Sequence, residues 1–271
     1  MNKNKNVVFW VGVNSPHKYH QEKHGGFKYF EYSEYTWKYW CEKNDVIFFP
    51  YTYDMVGQLN TRLIPATWQR WFDVFRILNE NDIRYDKIAV IDASTMIRWD
   101  APNFFNLCNN GEVTVFRSLE NLRWIHEGVS GYANLFSGFE FDLTKYFSCG
   151  FQIFDRLHEK FLSDLKMFYD INFHKIQSLQ NEDVRRGTDQ PVYNYLAQIK
   201  NINLSIDTLP KEFYITHMNR FDWIGANWQL NSNVPHFIKH GYLWFFSGMV
   251  NRGDREDLMR QTWEYIKPNY V

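Results

Sequence analysis

The apolar run Ile88–Ile91 in "KIAVIDASTMIRWDAP" stops abruptly at Asp92. An unbroken apolar run of this length reads as a strand buried on both faces, the kind found in parallel sheets. The same signature recurs along the chain. Val7–Val13 ends in Asn14-Ser15-Pro16, "DVIFF" (45–49) ends at Pro50, and Val113–Phe116 and Phe147–Phe154 come later, the last with Gly150 inside it. Helical spacing fills the gaps. Trp68, Trp71, Phe72, Phe75 and Leu78 fall at i, i+3, i+4, i+7 intervals within 66–79. Further helices are predicted over 29–43, 157–169, 188–198 (Pro191 in its first turn) and 254–266. Strands alternating with helices predict an α/β fold, a mostly parallel central sheet flanked by helices. Beyond Ile199 the pattern loosens. In such sheets ligands bind past the carboxyl ends of the strands. Asn14-Ser15 and Asp92-Ala93-Ser94 both stand at such ends and are expected near each other in a cleft.

Composition removes several function classes. A net charge of −1 offers no basic excess for nucleic acid or an anionic membrane. Cys41, Cys108 and Cys149 are odd in number and widely spaced, which makes neither a disulfide framework nor a zinc site and fits a reducing compartment. No apolar stretch approaches ~20 residues, so no membrane span is expected. The N-terminus lacks a long h-region and a cleavage site, so no signal peptide is expected and the protein is read as soluble and cytoplasmic. Oligomeric state is not legible. Aromatic residues make up 19% of the chain. They could fill a core or stack on sugar faces, and composition leaves both readings open.

Two carboxylates carry the chemical argument. Asp92 could cap the turn after it. It could equally aim at a ribose hydroxyl or a metal-bound diphosphate, since Mg²⁺ is held by one or two carboxylates together with substrate phosphates. Asp189 opens a helix, where Thr188 or Asp189 would serve as an N-cap. Gly150 reads either as a strand bulge or as room left for a ligand.

The stretch 70–105, "RWFDVFRILNENDIRYDKIAVIDASTMIRWDAPNFF", resembles the centre of GT-A fold glycosyltransferases. The likeness is to the glycogenin and lipopolysaccharide-galactosyltransferase type and their small viral and bacterial relatives. Asp92 matches the first residue of that family's Asp-x-Asp. Ile97-Arg98, Pro102 and Phe104-Phe105 match the family's next segment. "YFSCGFQIFD" (146–155), "GTDQPVYNYL" (187–196) and "GYLWFFSGMVNRGDREDLMRQTW" (241–263) resemble three later blocks, in the family's order. The resemblance implies a single GT-A domain over 1–271, with a nucleotide-sugar-binding half to about 154 and an acceptor half from about 155. It implies transfer of a hexose from a nucleotide sugar, a UDP-sugar, to a glycan or other hydroxyl acceptor, with retention of anomeric configuration. Val13, Asn14, Arg70, Asp92, Ala93, Ser94, Gly150 and Arg252 would hold the donor. Asp189 and Gln190 would face the transferred sugar. For the acceptor, Trp124, Trp223, Trp228 and Trp244 are candidate platforms. The stretch "WIHEGVSGY" (124–132) is a candidate mobile lid bearing Glu127 or His126 as base.

Two positions depart from the family. Ser94 stands where the second Asp is expected, and Phe245 where a His is expected; both are metal ligands in the family. A serine hydroxyl is a poor substitute for a carboxylate, and Phe cannot coordinate. A divalent cation, Mn²⁺ or Mg²⁺, held by Asp92 is therefore expected to matter weakly, or to recruit His236, His240 or Asp100. Without it a guanidinium must hold the diphosphate, and Arg70, Arg98 and Arg252 are the candidates. The missing pair also supports a second reading, an inactive relative that binds nucleotide or carbohydrate. A nucleotidyltransferase would want a glycine-rich, basic loop after the first strand, and "VGVNSPHKYH" supplies only Gly12 and Lys18.

Overall fold

The computed structural model describes residues 4–14, 26–56, 64–118, 120–184, 188–213, 235–247 and 252–270. In chain order its principal elements are β1 (Lys5–Gly12), α1 (Phe30–Lys43), β2 (Ile47–Thr52), α2 (Ala66–Glu80), β3 (Tyr85–Asp92), β4 (Thr95–Ile97) and β5 (Val113–Arg117). Next come α3 (Leu122–Tyr132), β6 (Phe147–Asp155), α4 (Glu159–Ile171), α5 (Phe173–Ser178), α6 (Gln190–Ile199), β7 (Leu204–Ile206), α7 (His236–His240), β8 (Leu243–Phe245) and α8 (Arg252–Ile266). One six-stranded sheet runs β2-β1-β3-β6-β5-β7, and β4 and β8 form a two-stranded ladder. β1 pairs with β2, and β5 with β7, in parallel. The expected α/β architecture with a mostly parallel central sheet is borne out.

The chain folds into two compact units that interleave along the sequence. The first takes Gln58–Ala89 and Cys108–Thr208 with Met1–Asn4; the second takes Lys5–Gly57, Val90–Leu107 and Leu209–Val271. In the second unit, α1 turns Ser33, Thr36, Trp37, Trp40 and Cys41 inward. The two small hydroxyls on that buried face are there to bond. Trp10 Nε1 donates to Ser33 Oγ (2.8 Å), and Ile97 N donates to Thr36 Oγ1 (3.4 Å). The β4–β8 ladder packs into an apolar cluster that includes Met96, Trp244, Phe246, Met259 and Tyr270.

In the first unit, α6 is stitched to β6 by side-chain amides. Asn194 Oδ1 accepts from Phe147 N (2.9 Å), and its Nδ2 donates to Phe147 O (3.0 Å). β5 and β6 are antiparallel. Their register passes from Val115↔Gln152 to Arg117↔Phe147, so β6 carries extra residues there, and Gly150 lies within that irregular stretch. The bulge reading of Gly150 is met.

Two sequence expectations need correction. The second strand does not stop at Pro50. It runs to Thr52, with Pro50 opposite Trp10. β2 lies at the edge of the sheet, and an edge strand tolerates a residue that cannot donate to the ladder. The predicted lid over 124–132 is helix α3, whose first turn is capped by Asn121 Oδ1 accepting from Trp124 N (2.9 Å). Its inward face carries Ile125, Gly128, Val129 and Tyr132. Here the glycines serve packing. A Cβ on Gly131 would fall 2.3 Å from Val184 Cγ2. Among the described residues, no helix is long and apolar enough to cross a membrane.

Candidate functional site

β3 buries Ile88, Ala89, Val90 and Ile91 completely and then delivers Asp92, half-buried, at its end. The turn after it is locked from below. Thr95 Oγ1 donates to Asp92 O (2.7 Å) and accepts from Trp37 Nε1 (3.0 Å), and Trp37 itself is fully buried. Thr95 closes the turn through Asp92's carbonyl. Ala93 N donates to Val11 O (3.1 Å), which ties the turn to the end of β1. Of the pair expected near this turn, Asn14-Ser15, Ser15 lies outside the described residues, and the tie to β1 is made by Val11. Val13 is buried and Asn14 exposed.

Gly12 shapes this end of β1. A Cβ on it would lie 1.9 Å from Trp10 Cζ3, inside the indole that Ser33 pins. The residue must be glycine because the ring occupies its side-chain volume. The sequence showed Gly12 only as a lone glycine.

Ser94 and Phe245 do come together. Thr95 pairs with Phe245 across the β4–β8 ladder, and Phe246 N donates to Ser94 O (2.8 Å). The segments that carry the family's metal ligands are therefore neighbours here, but the donors are not. Phe245 is 2% exposed and belongs to the buried apolar set. Among the described residues no group of three His, Cys, Asp or Glu could hold a metal ion. The donor set does not fit a divalent cation bound in the family's manner. Of the recruits considered, Asp100 accepts from Arg98 Nε (2.5 Å), His240 is exposed on α7, and the His236 side chain lies outside the described residues.

One group here was missed in the sequence. Arg255, on α8, donates from Nε to Phe246 O (2.9 Å) and from Nη1 to Tyr29 OH (3.0 Å). Its guanidinium carbon stands 5.2 Å from the Tyr29 ring centre. Burial pushes the Tyr29 phenol up; Arg255 opposes that shift, and the Asp92 carboxylate adds to it. The signal was present in "NRGDRED", where Arg255 comes three residues after the proposed Arg252. Arg252 opens α8, and its side chain lies outside the described residues.

The first unit holds a different constellation. Asp189 is 3% exposed and does not cap α6 with its side chain. Its Oδ2 accepts from Arg70 Nη2 (2.9 Å) and Trp71 Nε1 (2.5 Å), and its Oδ1 from Thr188 Oγ1 (2.9 Å). Both expectations change. The cap reading of Asp189 fails because the carboxylate is used elsewhere. Arg70 is not available to a diphosphate, because it is 2% exposed and paired with Asp189. Gln190 is likewise held, accepting from Cys149 N (3.1 Å) and donating to Tyr146 OH (3.1 Å). It fixes the strand stretch that contains Gly150.

The remaining candidates separate cleanly. Arg98 is spent on Asp100 and on the carbonyls of Ile238 and Lys239. Trp244 is fully buried with Nε1 donating to Phe237 O (3.0 Å), and a ring with no exposed face cannot stack on a sugar. Trp124 is half-buried on α3. Glu127 accepts from Arg123 Nε (2.8 Å), and His126 is exposed beside Ser130. Trp223 and Trp228 lie outside the described residues.

No protein-family model matches the sequence, and no curated protein matches it either. Solved structures do. The chain is similar to a glycosyltransferase involved in the glycosylation of the major capsid of PBCV-1, with a TM-score of 0.55 and 9% identity over 96% of this chain and 100% of that one. Matches at lower TM-score include the galactosyltransferase LgtC with donor and acceptor sugar analogues (0.44; 11% identity; 96% and 99% covered) and mouse xyloside xylosyltransferase 1 (0.47; 8%; 90% and 97%). At such identities the first likeness is one of fold, and it bears out the expected GT-A architecture.

Proposed function

We propose that the chain is a glycosyltransferase, moving a hexose from a nucleotide sugar, a UDP-sugar by motif resemblance, onto a hydroxyl of a glycan or other acceptor. The observation that carries this reading is the Asp92 turn. A fully buried apolar strand ends in a half-buried carboxylate, on a turn that the Ala93 N–Val11 O hydrogen bond ties to the end of β1, in a fold shared with a glycosyltransferase. In the reaction the acceptor oxygen forms a bond to the anomeric carbon. The bond from that carbon to the diphosphate oxygen breaks, the diphosphate leaves with the electron pair, and the hydroxyl proton passes to solvent or a base. Binding both substrates in order lowers the entropic part of that barrier, and fixed dipoles stabilise the leaving charge. We assign Asp92, Ala93, Ser94, Val13 and Asn14 to the donor, and retention of configuration rests on the same motif resemblance. The GT-A domain is taken to span 1–271.

A thermal-shift panel of nucleoside diphosphates and their sugars tests this. A ligand at about 100 times its dissociation constant adds about 2.7 kcal/mol, which is a shift of roughly 5–10 °C in a chain of this size. Flat curves for every nucleotide would refute the reading. The Ser94 and Phe245 replacements favour one alternative, a relative that binds nucleotide sugar without turnover. Slow donor hydrolysis that disappears in Asp92→Ala would argue against that alternative.

A further inference from the structure

We propose that Arg255 holds the diphosphate of the donor, as a fixed guanidinium in place of the divalent cation that the Asp92 turn is not equipped to bind. The assignment rests on the nucleotide-sugar reading and deepens it.

Three observations converge on it. First, the ligands are missing where the backbone is right. Ser94 and Phe246 are hydrogen-bonded neighbours, yet the adjacent Phe245 is buried and Ser94 brings only a hydroxyl. Second, Arg255 is anchored to that same neighbour. Phe246 donates its N–H to Ser94 O and accepts from Arg255 Nε through its carbonyl, so one residue ties the guanidinium to the turn. Third, the anchoring uses little of the group. A guanidinium has five N–H donors. Its two bonds go to a carbonyl and a phenol, both neutral, and no carboxylate pairs with it among the described residues. Arg70 and Arg98, by contrast, are neutralised by Asp189 and Asp100. The remaining N–H groups of Arg255 keep a full positive charge and fork geometry, which matches two phosphate oxygens. Tyr29, packed in the apolar cluster, fixes the plane of the fork.

The test is calorimetric titration of UDP, GDP, ADP and CDP, and of the four matching nucleosides, in EDTA and in MnCl₂. Wild type, Arg255→Met, Arg255→Lys and Tyr29→Phe are compared. The wild type is expected to bind one nucleoside diphosphate with affinities in EDTA and Mn²⁺ that agree to about twofold. Arg255→Met should weaken that diphosphate roughly ten- to a hundredfold and leave its nucleoside unchanged, as loss of a charge-assisted contact requires. Arg255→Lys should recover part of the loss. Tyr29→Phe keeps the charge and removes one anchor, so an intermediate loss is expected even if Arg255→Met folds poorly. Diphosphate binding that requires Mn²⁺, or that ignores both Arg255→Met and Tyr29→Phe, would overturn the assignment while leaving the donor reading intact. Failure of the folded wild type to bind any nucleoside diphosphate would overturn both.

Discussion

Arg70 and Arg255 show two opposite uses of a guanidinium. Arg70 lies in the first unit, 2% exposed, with its charge met by Asp189 and its guanidinium carbon 4.6 Å from the centre of the Trp71 ring. Arg255 lies in the second unit, part-buried, held among the described residues by a carbonyl and a phenol. Desolvating an ion pair costs several kcal/mol per ion, and attraction repays it only with good geometry. The Arg70–Asp189 pair meets through one 2.9 Å contact and has no charge left over. Arg255 has charge left over and a rigid seat. The lesson is that charge in this fold is available for a ligand only where the partners are neutral, and sequence position alone does not reveal which arginine that is.

The largest effect is expected from breaking the closed pair. Asp189→Ala leaves Arg70 buried and uncompensated, at about 3–5 kcal/mol, or roughly 6–20 °C in melting temperature by calorimetry. The double change Arg70→Met with Asp189→Leu should cost much less, and an equal cost would show that the carboxylate does more than neutralise Arg70. Gly12→Ala comes next. Its methyl group must displace an indole pinned by Ser33, for about 1–3 kcal/mol in urea unfolding. Thr95→Val unties Asp92 O and leaves Trp37 Nε1 without its acceptor, at about 1–2 kcal/mol. It should also lower donor affinity, because the Asp92 turn loses its lock.

A smaller effect is expected at high pH. Burial pushes the Tyr85 and Tyr169 phenols up to about 12. Unfolded tyrosine loses its proton near pH ~10, so between there and pH ~12 the folded chain binds more protons than the unfolded one. Stability is therefore complete below pH ~10 and falls as pH rises through that window, which pH-dependent urea midpoints will show. The smallest effect is expected on α3. Arg123 is 88% exposed, so Glu127→Gln should change stability by less than about 0.5 kcal/mol. A large loss of turnover there would restore Glu127 as an acceptor base.

Much of the fold was legible because buried strands are apolar on both faces and helices keep a 3.6-residue period. The run ending at Asp92 and the helix read over 66–79, observed as Ala66–Glu80, needed nothing else. Pro50 misled because proline is read as a strand stop, while an edge strand accepts it. α3 was misread because Gly128 and Gly131 look like loop punctuation, although Asn121 marked its start. β4 and β8, three residues each, are too short for any periodicity to register. In the site, Asp92 was legible as a carboxylate at the end of a buried strand, and Asn14 and Ser94 as residues past strand ends. The pairings of Arg70 with Asp189 and of Arg255 with Phe246 and Tyr29 span 119, 9 and 226 residues. No local pattern encodes such contacts.

The central claim is donor chemistry at the Asp92 turn. It is tested most directly by measuring nucleoside diphosphate release from a panel of nucleotide sugars, with wild type beside Asp92→Asn. The wild type is predicted to release diphosphate from one donor class. The variant should lose that release and keep an unchanged melting temperature without ligand. Equal release by both proteins, or none by the folded wild type on any donor, would contradict the claim.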